Sequence, residues 1–66
     1  MVVTVNGEAR EVADGTSLQA LVESLGLQVG SVVVEHNGTA LLRSEVAATT
    51  LADGDALELV KAVAGG

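Results

Sequence analysis

Two Asn-Gly pairs constrain the fold more than any other feature of the sequence. Asn6-Gly7 follows the alternating segment Val3-Thr4-Val5, and Asn37-Gly38 follows a β-branched run, Val32-Val33-Val34. Asn-Gly between such segments is the strongest short-range hairpin signal, because both central residues of the tight turn need a positive φ. The sequence therefore predicts two hairpins, with return strands over residues 8–13 and 40–42.

An apolar stripe between the two hairpins predicts one helix. Thr16 or Ser17 can occupy the N-cap position, because either hydroxyl can accept a hydrogen bond from a free backbone N–H of the first turn, and we prefer Ser17. Gly26 suits the left-handed position just past the helix end. Four apolar residues recur at the spacing of a single helical face: Leu18, Leu21, Val22 and Leu25.

The C-terminal part of the chain predicts one more strand. Asp53-Gly54-Asp55 has the composition of a turn. Over residues 56–63, alternation places Leu57 and Leu59 on one face and Glu58, Val60 and Ala62 on the other. Residues 43–50 carry no pattern that predicts a structure. The last residues, Ala64-Gly65-Gly66, form a small-residue tail that we expect to be flexible.

The order of these elements is strand, strand, helix and then three strands. A hairpin, a crossing helix and further strands form one mixed sheet with the helix on one face, which is an α+β fold. We expect the first and last strands to be parallel neighbours. The apolar run 32–34 predicts a central strand, covered on both faces or on one face with a partner on the other. Residues 1–66 are thus predicted to be a single domain with a flexible tail over residues 64–66.

Composition argues against several classes of function. Nine acidic residues against three Lys and Arg give a formal net charge of −6. That balance disfavours nucleic acid and anionic membranes and suits a partner with a basic docking face. There is no Cys, and His36 is the single His, so neither a disulfide nor a metal site is expected. No membrane helix or signal peptide is predicted, and we expect the cytoplasm.

Several segments, in one order and over the whole chain, match the pattern of a known family. They are Val5-Asn6-Gly7-Glu8, Ser17-Leu18-Gln19-Ala20-Leu21-Val22, Val33-Val34-Glu35-His36-Asn37-Gly38, Leu42-Arg43-Ser44-Glu45, Asp53-Gly54-Asp55-Ala56-Leu57-Glu58-Leu59-Val60 and the final Gly65-Gly66. In this combination the chain resembles the thiamine-biosynthesis sulfur carrier family. The resemblance implies a ubiquitin-like β-grasp fold, with a mixed five-stranded sheet and one helix packed across one face.

The resemblance also implies what the chain does. An adenylating enzyme related to ubiquitin-activating enzymes would use ATP to adenylate the carboxylate of Gly66. Sulfur from a cysteine desulfurase or a rhodanese-type persulfide would then displace AMP and leave a thiocarboxylate, which thiazole synthase would consume. The carrier would bind no cofactor and would be a co-substrate, not an enzyme. Gly65 and Ala64 would lie in the channel of the partner enzyme.

The tail alone is not expected to supply recognition. Gly has no Cβ and can enter a narrow channel, but ordering each backbone residue costs about 1–2 kcal/mol. Docking of the folded body must offset that cost, and we predict that Val60, Ala62 and Glu58 contribute to the docking face. The chain departs from the family pattern at two positions, and both bear on which partner it binds. Family members often have a third Gly where this chain has Ala64, and a bulkier, frequently aromatic residue near Ala62.

Other functions remain open from the sequence. The chain could carry sulfur to another acceptor, as the small subunit of molybdopterin synthase does, or be joined to target Lys residues as a protein modifier. It could also be an interaction module with an inert tail. Nucleophilic catalysis is disfavoured, because the Ser residues have only His36 as a base and no oxyanion motif is visible.

Overall fold

The computed structural model describes residues 1–61, which form a five-stranded sheet with helices packed on one face. In chain order the elements are β1 (Val2–Val5), β2 (Glu8–Glu11), α1 (Leu18–Ser24), a 3-10 turn (Val29–Ser31), β3 (Val32–His36), β4 (Thr39–Leu41), α2 (Arg43–Ala48) and β5 (Ala56–Lys61). The strands lie in the order β2-β1-β5-β3-β4. β5, the last strand, is therefore the centre of the sheet.

The sheet is mixed, as the sequence predicts. β5 runs parallel to β1 and antiparallel to β3, and both hairpins are antiparallel. The register aligns Val5 with Leu57 and Val34 with Leu59, so these four side chains share the helix-covered face. All are buried, and the expected parallel pairing of the first and last strands is confirmed.

Helix α1 begins and ends as its sequence predicts. The Ser17 hydroxyl accepts a hydrogen bond from the backbone N–H of Ala20 at 3.0 Å. Gly26 follows the helix with φ +77°, a conformation that costs little only without a Cβ. Of the predicted apolar stripe, Leu18, Leu21 and Val22 are buried and Leu25 is partly buried against the core.

Residues 43–50, where no sequence pattern predicts a structure, contain the short helix α2. Its first turn is held by the Glu45 carboxylate, which accepts a hydrogen bond from the Leu42 backbone N–H at 2.7 Å. Val46 is the one residue of the helix that is buried in the core. A six-residue helix with a single buried apolar side chain and Leu42 at the N-cap position has no periodic or capping pattern that sequence reasoning could detect.

The predicted strand ends differ slightly from those observed. β2 ends at Glu11, not at residue 13, although Val12 still donates a backbone hydrogen bond to Met1 at 2.9 Å. β4 covers Thr39–Leu41, because Leu42 turns outward to start α2. The predicted last strand also includes residues 62 and 63, which lie outside the described residues. Within residues 1–61, no helix has the length and apolar character needed to cross a membrane.

Candidate functional site

The predicted site residues fall into two groups. Gly66, Gly65, Ala64 and Ala62 lie outside the described residues, and their roles stay predictions. Glu58 and Val60 lie on β5, which leads into residues 62–66. The site that the structure describes is therefore the C-terminal end of β5 and the surface around it.

The two faces of β5 differ in burial as the alternation predicts. Leu57 and Leu59 are 1% and 8% exposed, and both pack in the core beneath the helices. Val60 is 57% exposed, and Glu58 is also exposed. The central strand thus stabilises the fold through one face and exposes the other face to solvent.

Two side-chain pairs form the centre of this exposed surface. Val33 of β3 lies directly opposite Val60, and Glu35 lies directly opposite Glu58. Directly opposite side chains in an antiparallel pair are about 4.5–5.5 Å apart at Cβ, so each pair forms one continuous patch. We call these four residues, Val33, Glu35, Glu58 and Val60, the exposed sheet face; Glu35 is partly exposed and the other three are exposed.

The exposed sheet face has two properties that folding alone does not require. Val33 is 49% exposed although its run of three Val predicts a central strand, because only Val34 of the run points fully into the core. Glu35 and Glu58 lie directly opposite each other, and like charges in that arrangement destabilise a sheet. Of the two alternatives for the apolar run, the structure shows the one in which a single face is covered.

Asn6 binds the backbone of β5 next to this surface. Its Oδ1 accepts a hydrogen bond from the Leu59 N–H at 2.8 Å, and its Nδ2 donates to the Leu59 carbonyl at 3.3 Å. One rung earlier, the Asn6 backbone N–H donates to the Leu57 carbonyl at 2.9 Å. The sequence predicts Asn6 only as a turn residue, and no local signal reveals that its side chain reaches β5.

A polar cluster lies at the opposite end of β5. Asp55 is only 7% exposed, and its carboxylate accepts hydrogen bonds from Ala52 N–H at 2.9 Å and Asn37 Nδ2 at 3.1 Å. His36 Nε2 lies 2.9 Å from the same carboxylate. The Ala52 N–H and, next, the His36 hydrogen bond hold the pKa of Asp55 below its usual value.

The polar cluster explains residues for which the sequence suggested only simple roles. His36 lies at a strand end, as expected, and is half-buried against Asp55. Asp55 is more than a turn residue, because it connects the β3–β4 hairpin to the start of β5. Ser17 and Ser24 bond to the helix backbone, not to His36. Within residues 1–61, no three His, Asp or Glu side chains are grouped so that they could hold a metal ion.

Comparisons with known proteins agree with this fold. A model of the ThiS family matches residues 3–66. The sulfur carrier protein ThiS of Thermus thermophilus is 38% identical over 64 residues, which is 97% of this chain and 98% of that protein. The crystal structure of the thiamine biosynthesis protein ThiS from Geobacter metallireducens superposes with a TM-score of 0.83 and 39% identity, covering 100% of both chains.

Longer proteins also contain a similar segment. The thiazole synthase of Paramagnetospirillum magneticum is 35% identical over 66 residues, and the thiazole synthase of Magnetococcus marinus is 33% identical over the same length. The chain spans 20% of the length of each of these proteins.

The family match covers almost the whole chain, and the β-grasp fold and the resemblance predicted from the sequence are both confirmed. The chain therefore belongs to the ThiS family, the family of sulfur carrier proteins in thiamine biosynthesis.

Proposed function

We propose that this chain carries sulfur as a thiocarboxylate on Gly66 and delivers it to thiazole synthase. The observation that carries the proposal is the position of β5. The central strand of the sheet leads into residues 62–66, which end in the small residues Ala64-Gly65-Gly66, and the exposed sheet face lies beside its last described residues. A rigid body of this kind can dock on an enzyme while the residues after it reach into an active site.

The proposed chemistry needs a free carboxylate at Gly66. In a polypeptide that ends at this residue, the carboxylate attacks the α-phosphorus of ATP on a separate adenylating enzyme, and pyrophosphate leaves. The terminal sulfur of a persulfide attacks the acyl carbon of the adenylate and displaces AMP, which leaves an acyl disulfide. A thiol then cleaves the disulfide to the thiocarboxylate. ATP and the sulfur donor belong to the partners, so the chain itself is a co-substrate.

The two thiazole synthases support the choice of acceptor. In each of them a segment similar to this chain makes up 20% of the polypeptide. If the carrier transfers sulfur directly to thiazole synthase, joining the two in one polypeptide is an advantage. The linkage raises the effective concentration of the carrier at the synthase. We therefore propose thiazole synthase as the acceptor, in preference to molybdopterin synthase or target Lys residues. The cytoplasm is the proposed compartment, in keeping with a chain that has no Cys.

The exposed sheet face is the proposed docking surface for these enzymes. Its Val33–Val60 pair offers apolar area near the C-terminal end of β5, and its two facing carboxylates would be relieved by a basic partner side chain. A formal net charge of −6 would further steer the chain toward a basic surface. Ala62 is proposed to extend this surface.

Mass spectrometry tests the chemistry directly. The intact protein, incubated with ATP, an adenylating enzyme and a persulfide donor, should gain the mass of one O-to-S exchange, and fragmentation should place the sulfur on Gly66. A variant that lacks Gly65 and Gly66 is the control and should gain nothing. Sulfur at any other residue would contradict the proposal, and covalent conjugates on a gel would favour the modifier function.

Paired binding measurements separate docking from chemistry. Deleting Gly65 and Gly66 should leave the affinity for the adenylating enzyme within about tenfold, or roughly 1.4 kcal/mol, while it abolishes adenylation. Val60→Asp should weaken binding by more than tenfold and leave the fold intact. Ala9→Asp is the matched control. It adds the same charge on the solvent side of the sheet, but on β2 and not on β3 or β5, and it should bind like the parent. If Val60→Asp also binds like the parent, the proposal that the exposed sheet face docks on the enzyme is wrong.

A further inference from the structure

The hydrogen bonds of Asn6 lie where the pairing between β1 and β5 ends. In the register of the two strands, Thr4 pairs with Ala56 and Val5 pairs with Leu57. After Val5 the chain turns away into the hairpin with β2, and Asn6 has φ +51°. The backbone of β1 therefore offers no partner to Leu59, and the amide side chain of Asn6 takes its place.

The amide reproduces the next rung of the ladder. A peptide group offers one N–H donor and one C=O acceptor, and the side chain of Asn offers the same pair. Asn6 uses both of them on a single residue, since Oδ1 accepts from Leu59 N–H at 2.8 Å and Nδ2 donates to Leu59 C=O at 3.3 Å. In the described part of the chain, this is the last observed bond between the β1 side and β5 before residues 62–66.

We infer that Asn6 is a positioning residue for sulfur transfer, because it holds the β1 side of β5 at Leu59, where pairing with β1 has ended, while β3 holds the other side as far as Lys61. This inference rests on the proposed function, in which Gly66 must reach the active site of a docked enzyme. Residues 62–66 continue from β5, so a change in the direction of the strand at Leu59 moves their starting point. Asn6 itself does not touch the reacting atoms and acts through Leu59.

The second Asn-Gly turn supplies a matched control. Asn37 also has φ +51°, and its Oδ1 accepts a hydrogen bond from the backbone of β5, but at Ala56, the first residue of the strand. Asn6→Gly and Asn37→Gly each remove one side chain that bonds to β5, and each leaves a Gly-Gly pair that still suits the tight turn. Only the first change affects the end of β5 that precedes Gly66.

Amide hydrogen exchange measured on the free chain tests the structural half of the inference. In Asn6→Gly, the Leu59 amide should exchange about tenfold faster, relative to amides in the middle of the sheet, than in the parent, a factor equivalent to roughly 1.4 kcal/mol. Asn37→Gly should accelerate Ala56 and leave Leu59 unchanged. Asn6→Asp, which retains the acceptor and loses the donor, should fall between the parent and Asn6→Gly. An unchanged Leu59 amide in Asn6→Gly would overturn the inference.

Kinetics with the adenylating enzyme test the functional half. Asn6→Gly should lower the turnover number at saturating carrier by about tenfold, while KM for the carrier stays within about twofold, because the exposed sheet face is unchanged. Asn6→Asp should recover part of the turnover, and Asn37→Gly should match the parent. Loss of stability alone would not lower turnover in a sample that remains folded, which circular dichroism checks.

The two proposals fail in different ways. If the parent chain is adenylated and Asn6→Gly turns over as fast as Asn37→Gly, the positioning role is wrong and the proposed function stands. If the parent chain is not adenylated by an enzyme that adenylates the Thermus thermophilus sulfur carrier protein, the proposed function fails, and the positioning role fails with it even where Leu59 exchange responds as expected.

Discussion

The two Asn-Gly turns have the same local conformation but different surroundings. Asn6 and Asn37 share φ +51°, and both side chains bond to the backbone of β5. Asn37 also donates to the buried carboxylate of Asp55, which in turn contacts His36 and the Ala52 N–H. Asn6 has no such neighbours among its observed bonds, and its amide bonds only to the Leu59 backbone.

The two ends of β5 are therefore held by different kinds of interaction. At the start of the strand, a carboxylate with several donors forms charge-assisted hydrogen bonds, which are stronger than neutral ones. At its C-terminal end, a neutral amide makes the contact in a more exposed position. β3 pairs with β5 as far as Lys61, so the contrast concerns the side-chain bonds at the two ends. In the proposed function, a weaker side-chain bond at the C-terminal end suits residues that enter a partner enzyme.

Loss of the Asp55 carboxylate should destabilise the fold more than loss of any other side chain that bonds near β5. Asp55→Ala would leave the Ala52 N–H, Asn37 Nδ2 and His36 without their shared acceptor, and we expect a loss of about 2–4 kcal/mol in the free energy of unfolding. For a domain this small, such a loss is a large fraction of the total stability. Urea denaturation measures the change.

Asp53→Ala is the control for that variant. Asp53 belongs to the same turn and accepts a hydrogen bond from the Val2 N–H at 2.7 Å, but its surroundings are exposed to solvent. Its removal should cost about 1 kcal/mol or less, since an exposed N–H can bond to water instead. Equal losses for the two variants would show that the start of β5 is not held by Asp55 in particular.

The acid sensitivity of the fold should also originate at the start of β5. The pKa of Asp55 is lowered from 3.8 in the folded chain, chiefly by the Ala52 N–H and then by His36. Its stabilising contribution is therefore complete above that ordinary value and is lost as the pH falls through the lower folded-state pKa. Denaturation at a series of pH values from 7 to 2 should show that the parent has the higher free energy of unfolding, and that its difference from Asp55→Asn shrinks only below about pH 4. A constant difference over that range would contradict the assignment.

The same comparison shows what sequence can predict. Asn-Gly flanked by apolar alternation predicts both turns, because a positive φ is a local property of the residue pair. Leu57, Leu59, Ser17 and Gly26 were likewise predicted from alternation and capping. Each of these predictions depends on neighbours within a few positions.

Contacts between distant parts of the chain were not predictable in this way. Asn6 and Leu59 are 53 positions apart, and Asn37 bonds to Ala56 across 19 positions. The exposure of Val33 was not predictable because Val33 lies within an apolar run. Helix α2 was not predictable because it contributes only Val46 to the core. The proposed role of Gly66 came from resemblance alone, since no pattern in the residues themselves specifies sulfur chemistry.

A smaller effect distinguishes the two Asn side chains by stability alone. Asn37→Gly should cost more than Asn6→Gly, about 1–2 kcal/mol against about 1 kcal/mol, because the first change also removes a donor from a buried carboxylate. The two urea midpoints, measured side by side, give the comparison. The reverse order would mean that the amide of Asn6 holds the sheet more strongly than the polar cluster does.

The smallest effect should be a gain in stability at the C-terminal end of β5. Glu58→Gln removes one of two carboxylates that face each other across β5 and β3, and we expect a gain of about 0.2–1 kcal/mol. Because both side chains are accessible to solvent, the gain should shrink in 1 M salt, where the Debye length is about 3 Å. Glu11→Gln is the control, since Glu11 is exposed and faces the uncharged Val2. It should change stability by less than about 0.5 kcal/mol.

Glu58→Gln also tests whether the acidic pair contributes to binding of the adenylating enzyme. If the facing carboxylates are retained for docking on a basic surface, Glu58→Gln should bind the adenylating enzyme more weakly and with a shallower dependence on salt, mainly through a slower association rate. Stopped-flow association at several salt concentrations measures that rate for both variants. Should Glu58→Gln be more stable and associate as fast as Glu11→Gln, the acidic pair would have no part in docking. The exposed sheet face would then reduce to its Val33–Val60 pair.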